Sequence, residues 1–470
     1  MTRNFSILTF LVFFLVSVSL KAEVKLPAIF GDNMVLQQQT DAAIWGNATA
    51  NKTVKVTTSW NKKSYSTKAD SDGKWKLKVQ TPVAGGPYSI DISDGKTVKL
   101  NNVLIGEVWV CSGQSNMQMI MNGYYNQPIL GSNEAIATST NKNIRLITIE
   151  RDKSLEVKDN FKGDWRACNP GNVADFSATA YFFGRMIQNA LDVPVGLICS
   201  AWGGTRIEPW ISENGFKNFD WVNLPDKNQQ GDFSQQTPTV LFNAMISPMV
   251  GYAIKGGIWY QGESNRNEPK EYEKLMPGLI ENWRAEWGIG DFSFFYCQIA
   301  PYDYGTNGLN SAYLREAQYN ASMALPNMGM ACLMDVGEKH NIHPADKEAA
   351  GERLAYLALA KTYDMKGFEF SGPKLDNMTV EGSVVKLTFR HAEHGLTAYG
   401  KELVNFKVAG ENKRFVPATA FITNKGITLF LPSVEKPVAV RYAFDDFVVG
   451  ELYNNEGLPA SSFRTDDWEE

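Results

Sequence analysis

Three textures of hydrophobic and polar positions follow one another along the chain. Up to about residue 105, apolar and polar residues alternate in short runs at 53–60, 74–79 and 88–92, separated by the turn signals Asp70-Ser71-Asp72-Gly73 and Asp94-Gly95. A period of two puts every second side chain on one face, which predicts a β-sandwich with a solvated outer face. From Gly106 the texture changes: apolar runs at 108–111, 193–199, 256–260, 292–299 and 328–335 alternate with stretches of helical spacing at 176–191, 271–287 and 311–324. A further helix is expected to open at Pro344 and run to about residue 363, because proline suits a helix's first turn. Strands that are apolar throughout are buried on both faces, so this middle part predicts an α/β unit with a parallel sheet covered by helices. Residues 117–175 fit the pattern worst and are expected to form an insertion beside or over the loops. From about residue 366 alternation returns at 384–389, 427–430 and 438–442, a second β-region. Periodicity leaves open whether the two β-regions pair.

The ends of the apolar runs carry the candidate chemistry. Four polar, mostly glycine-bearing loops follow them: Ser112-Gly113-Gln114-Ser115-Asn116, Trp202-Gly203-Gly204-Thr205-Arg206, Gln261-Gly262-Glu263-Ser264-Asn265, and the stretch from Asp335 to Asn341-Ile342-His343-Pro344. In open α/β sheets the carboxyl ends of the strands are where ligands bind. A serine hydroxyl needs a base to become a nucleophile. Of the four histidines, His391 and His394 lie in the second β-region, which leaves His340 and His343.

Together these loops resemble the serine, glycine, asparagine-or-glutamine and histidine blocks of SGNH hydrolases, and in detail the sialate O-acetylesterase family. The resemblance runs from Leu26-Pro27-Ala28-Ile29-Phe30 to Gly457-Leu458-Pro459-Ala460. It implies an SGNH-type three-layer, parallel-sheet hydrolase domain over 106–365, flanked by β-sandwich regions at 23–105 and 366–470. It implies Ser115 as nucleophile and His343 as general base and then acid. The oxyanion donors would be the N–H of Ser115, the N–H of Gly204 and the amide of Gln261, placed where charge develops on the ester oxygen. The wider superfamily has an aspartate three residues before the histidine; here that position is His340. Asp335 is therefore the candidate third member, with Glu338 or a backbone carbonyl as alternatives. Arg206, Asn116 and Glu263 are expected on the substrate side, Arg206 because a guanidinium can grip a sugar carboxylate in a bidentate way. Asn116 and Asn265 are also suited to bracing the loops, and Glu263 to supporting from behind. The tryptophans beside the strands read chiefly as packing. The function implied is a secreted serine esterase that removes O-acetyl groups from sugars, sialic acids foremost, through an acetyl-serine intermediate and without a cofactor. The alternatives are an esterase of acetyl xylan or other glycans, and an inactive carbohydrate-binding protein.

Composition narrows this further. A chain of 470 residues exceeds one ordinary core. A net charge of −5 with no basic stripe leaves no footprint for nucleic acid. Five cysteines, an odd and sparse count, do not make a disulfide framework, and no pair has metal-ligand spacing. No GxSxG elbow is present, which argues against a lipase or thioesterase. Residues 1–22 read as a signal peptide: Arg3, an apolar run over 8–18, then Ser19-Leu20-Lys21-Ala22. That run is too short for stable membrane insertion, so the chain is expected to be secreted or periplasmic, acting on an O-acetylated sugar or glycan. Oligomeric state is not legible.

Overall fold

The computed structural model describes residues 24–468 apart from 228–232, 307, 432 and 435; the expected signal peptide lies outside them. The fold is mixed α/β, with one large sheet and additional β-sheets. Its axis is strand β1 (Thr97–Gly113). The other strands beside or beyond it are β2 (Asn141–Thr148), β3 (Val195–Ala201), β4 (Gly256–Tyr260), β5 (Ser293–Cys297) and β6 (Met328–Ala331). They lie in the order β6-β5-β4-β1-β3-β2, all neighbours parallel, with Arg166–Cys168 antiparallel at the edge.

β1 belongs to two environments. Its first half pairs antiparallel with Gly85–Ser93 and its middle pairs parallel with Val35–Gln37. From Glu107 to Gly113 it pairs with β3, and from Trp109 to Gly113 with β4. The joint expected between residues 105 and 106 therefore falls inside a continuous strand. Alternate side chains of the central strands feed two cores. Val108, Val110, Ile198, Trp259, Phe294 and Tyr296 pack in one, Trp109, Cys111, Leu197, Ile258, Phe295 and Cys297 in the other. Each such side chain contributes roughly 1.5–3 kcal/mol on burial.

Four helices cover the faces: α1 (Ala178–Leu191), α2 (Pro269–Trp287), α3 (Asn310–Ala321) and α4 (Lys347–Lys361). Residues of α1 and α4 belong to the second core, those of α2 and α3 to the first. Ser177 caps α1 by accepting from the Ala180 N–H, and Gly288 ends α2 at φ +63°. α4 starts later than Pro344 because Asp346 takes the cap, its carboxylate accepting from the Ala349 N–H. Within the expected insertion, β2 is a full member of the central sheet, paired with β3 from Ile144 to Thr148.

The C-terminal region forms a four-stranded antiparallel sheet (Lys374–Glu381, Val384–Arg390, Gly426–Phe430, Thr419–Thr423) and a second one around Phe406–Ala409 and Ala439–Tyr442. Among the described residues no sheet contains strands of both β-regions. Asp446 ties the C-terminal part to the α/β part, accepting from the Ser311 N–H at 2.8 Å and pairing with Arg266 at 3.2 Å. All five cysteines are free thiols, four of them buried. Among the described residues no helix is long and apolar enough to cross a membrane.

Candidate active site

Gly113 closes β1 at φ +136°, and a Cβ there would lie 2.2 Å from the Tyr260 carbonyl oxygen, so only glycine lets the ends of β1 and β4 meet. Gln114 N–H donates to that same oxygen at 3.0 Å. Its side-chain oxygen accepts from the N–H groups of Gly262 (3.3 Å) and Ser264 (3.4 Å), clamping the loop after β4 to the loop after β1. Ser115 then opens a single helical turn, Ser115–Gln118. The first N–H groups of a helix have no partner inside it. The Ser115 N–H has none among the described residues, and neither has the N–H of Gly204.

The glycine loop lies directly against the serine. A Cβ on Gly203 would come 3.1 Å from the Ser115 Cβ, and the Gly203 N–H donates to Gln118 Oε1 at 2.7 Å. Gly204 follows at φ +72°, exposed, with open space where a side chain would be.

The histidine loop is joined to the serine turn by the neighbours of the two residues. Asn116 Nδ2 donates to the Ile342 carbonyl at 3.1 Å and to Glu263 Oε1 at 2.7 Å. Its Oδ1 accepts from Lys347 Nζ at 2.8 Å. Asn116 is fully buried and Lys347 only 1% exposed. The other oxygen of Glu263 is buried without a hydrogen-bond partner among the described residues. Burial pushes the Glu263 carboxyl up, against the opposing pull of Asn116 and Lys347. Burial pushes Lys347 down to about 7, with Glu263 opposing. His343 is pushed down to about 4, first by burial and then by repulsion from Lys347. Tyr124 meets the imidazole edge-on, ring centres 5.4 Å apart, and Gln127 Oε1 sits 2.7 Å from its Nδ1.

The remaining expected site residues have partners of their own. Both Asp335 oxygens pair with Arg353 at 2.7 Å, so this carboxylate anchors α4. Glu338 accepts from the Ala345 N–H and from Asn341 Nδ2. His340 is exposed. Gln261 is fully buried, with Nε2 donating to the Thr205 carbonyl (3.2 Å) and to Asn265 Oδ1 (2.8 Å), while its Oε1 has no partner among the described residues. Arg206 binds Glu208 at 2.6 Å and Glu268 at 2.9 Å, so its charge is spent within the protein. Arg151 is different: exposed, 5.7 Å from the Trp202 ring centre, it acts electrostatically on Tyr124 and has no carboxylate partner among the described residues.

Lys347, Tyr124, Gln127 and Arg151 were not legible as site residues. A lysine at a helix start reads as solvated, and the other three lie in a stretch without periodicity.

A serine at a helix start, two unpartnered N–H groups beside it and an uncharged histidine on the adjoining loop can together carry out acyl transfer. Residues 105–360 match the family described as carbohydrate esterase, sialic acid-specific acetylesterase. A crystal structure of a carbohydrate acetylesterase from Xanthomonas citri superposes with a TM-score of 0.86 at 31% identity, covering 95% of this chain and 100% of that one. The sialate O-acetylesterase of Homo sapiens is 29% identical over 92% of this chain and 90% of its own length. That of Mus musculus is 28% identical, over 89% of each. The chain thus belongs to the carbohydrate esterase family of sialic acid-specific acetylesterases.

Proposed function

We propose that this carbohydrate O-acetylesterase works outside the cytoplasm on O-acetylated sialic acids, in two steps through an acetyl-Ser115 intermediate, in an SGNH-type three-layer domain. The observation that carries the reading is the Asn116–Ile342 bond of 3.1 Å, which holds the serine turn against the histidine loop. In the first step Ser115 Oγ attacks the acetyl carbon while its proton passes to His343 Nε2. The oxyanion is received by the N–H groups of Ser115 and Gly204. Gln261 joins them by releasing its longer bond, the one to Thr205. Collapse expels the sugar alkoxide, which takes the proton from His343. Water, deprotonated by His343, then releases acetate and restores the hydroxyl.

His343 accepts a proton only when neutral, and its value is about 4. The acid limb of kcat/KM is therefore expected near pH 4, activity falling as pH drops through it. A limb near the ordinary histidine value would contradict the burial of this base.

Arg151 supports a carboxylated sugar. It stands beside Trp202 and Tyr124 with its charge unspent, whereas Arg206 is neutralised. The test is acetate release from O-acetylated sialic acid and from acetylated xylan oligosaccharides, with wild type and Arg151→Ala. The expected result is a KM about tenfold higher for the sialic acid alone, the loss of one exposed charge-assisted contact. An equal change for both sugars, or a wild-type preference for xylan, would transfer the assignment to neutral glycans.

A further inference from the structure

The histidine of a serine hydrolase needs a partner on the nitrogen that faces away from the serine, and the carboxylates near His343 are engaged elsewhere. Asp335 is held on both oxygens by Arg353, and Glu338 by Ala345 and Asn341. The group at Nδ1 is an amide oxygen, Gln127 Oε1, at 2.7 Å. We infer that Gln127 is the positioning residue of this esterase, standing where a triad would have its acid. This rests on His343 being the base.

The turn that delivers Gln127 is closely defined. The N–H of Tyr124 donates to the Gln127 carbonyl at 3.0 Å, and the N–H of Gln127 donates back at 2.9 Å. Gly123 takes φ +77°, and a Cβ there would lie 2.4 Å from the Gln127 carbonyl oxygen. One short turn thus applies two constraints to the imidazole, the Tyr124 ring set nearly perpendicular to it and the Gln127 oxygen at its Nδ1.

An amide oxygen accepts hydrogen bonds and cannot donate them. It therefore selects the tautomer protonated at Nδ1 and leaves the Nε2 lone pair free for the serine proton. A neutral acceptor also differs from a carboxylate in effect. It fixes orientation without stabilising the imidazolium by a full charge, which fits a histidine held well below its ordinary value. The titratable groups acting at the ring are Lys347 and Tyr124, and Lys347 itself is faced by Glu263, Glu338 and Asp346.

The experiment compares full-length Gln127→Leu and Gln127→Glu with wild type, measuring kcat and KM for an aryl acetate across the acid range. Gln127→Leu should lose roughly 10²-fold in kcat with KM little changed, the low end of what a positioned general base contributes. Gln127→Glu restores an acceptor and adds a charge, so it should retain kcat within about tenfold and move the acid limb upward. If Gln127→Leu unfolds, the limb of Gln127→Glu still decides. Wild-type kcat in Gln127→Leu would overturn the inference. So would a Gln127→Glu variant whose limb stays in place. Ser115→Ala separates the two failures: were it active, the serine–histidine reading itself would be lost, whereas an inactive Ser115→Ala beside an active Gln127→Leu removes Gln127 alone.

Discussion

Ser115→Ala should abolish hydrolysis of a simple aryl acetate and of acetylated sugars, lowering kcat by roughly 10⁶-fold, the scale on which a serine hydrolase loses rate with its nucleophile. The fold should be untouched. The Ser115 hydroxyl holds no hydrogen bond to the described residues, and the Ser115 atoms that a Cβ on Gly203 would meet are its Cβ and Cα, which alanine keeps. Alanine also favours the helical turn Ser115–Gln118. An unchanged melting temperature beside lost turnover is thus the expected pair of results. Substrate binding should persist, because the neighbouring N–H groups remain. Turnover near wild type would mean that another group attacks the ester.

Asn116→Leu should have a large effect on stability, about 1.5–3 kcal/mol, the cost of removing a buried amide that bonds to charged groups. Asn116 is fully buried and holds Lys347 through its oxygen and Glu263 and Ile342 through its nitrogen. Leucine fills the space and serves none of them. The sign of the pH dependence follows from Lys347, whose value of about 7 lies below its unfolded one. A depressed lysine costs the folded state most where it must be charged, below about 7, and the cost is relieved as pH rises and the amine goes neutral. Loss of Asn116 depresses it further, so the difference from wild type in denaturant unfolding should be larger on the acid side of pH 7 than on the alkaline side. A difference below about 1 kcal/mol, or one independent of pH, would show that the amide is not holding a charge.

The site loops were readable because each joins an apolar run to small polar residues. That contrast is local, and local contrast is what a sequence displays. Gly113 and Gly204 mark positions where the backbone must meet another backbone or adopt positive φ. β2 escaped notice because Arg145 interrupts its apolar residues and polar residues precede it, although Arg145 is itself buried. The partner of His343 escaped for a different reason. Gln127 is selected by a contact 216 residues away in the chain, within a segment with no period of its own. Asp335 carried the expected chemical type, and both its oxygens pair with Arg353 of α4.

Strand β1 bears on how the chain can be divided. A fragment beginning at Gly106 would start in mid-strand, stripped of the pairing that Gly85–Ser93 and Val35–Gln37 give to the earlier residues. Glu107 to Gly113 of the same strand carries β3 on one side, and Trp109 to Gly113 carries β4 on the other. One strand thus serves both environments, and Ser115 hangs from the far end of that shared beam.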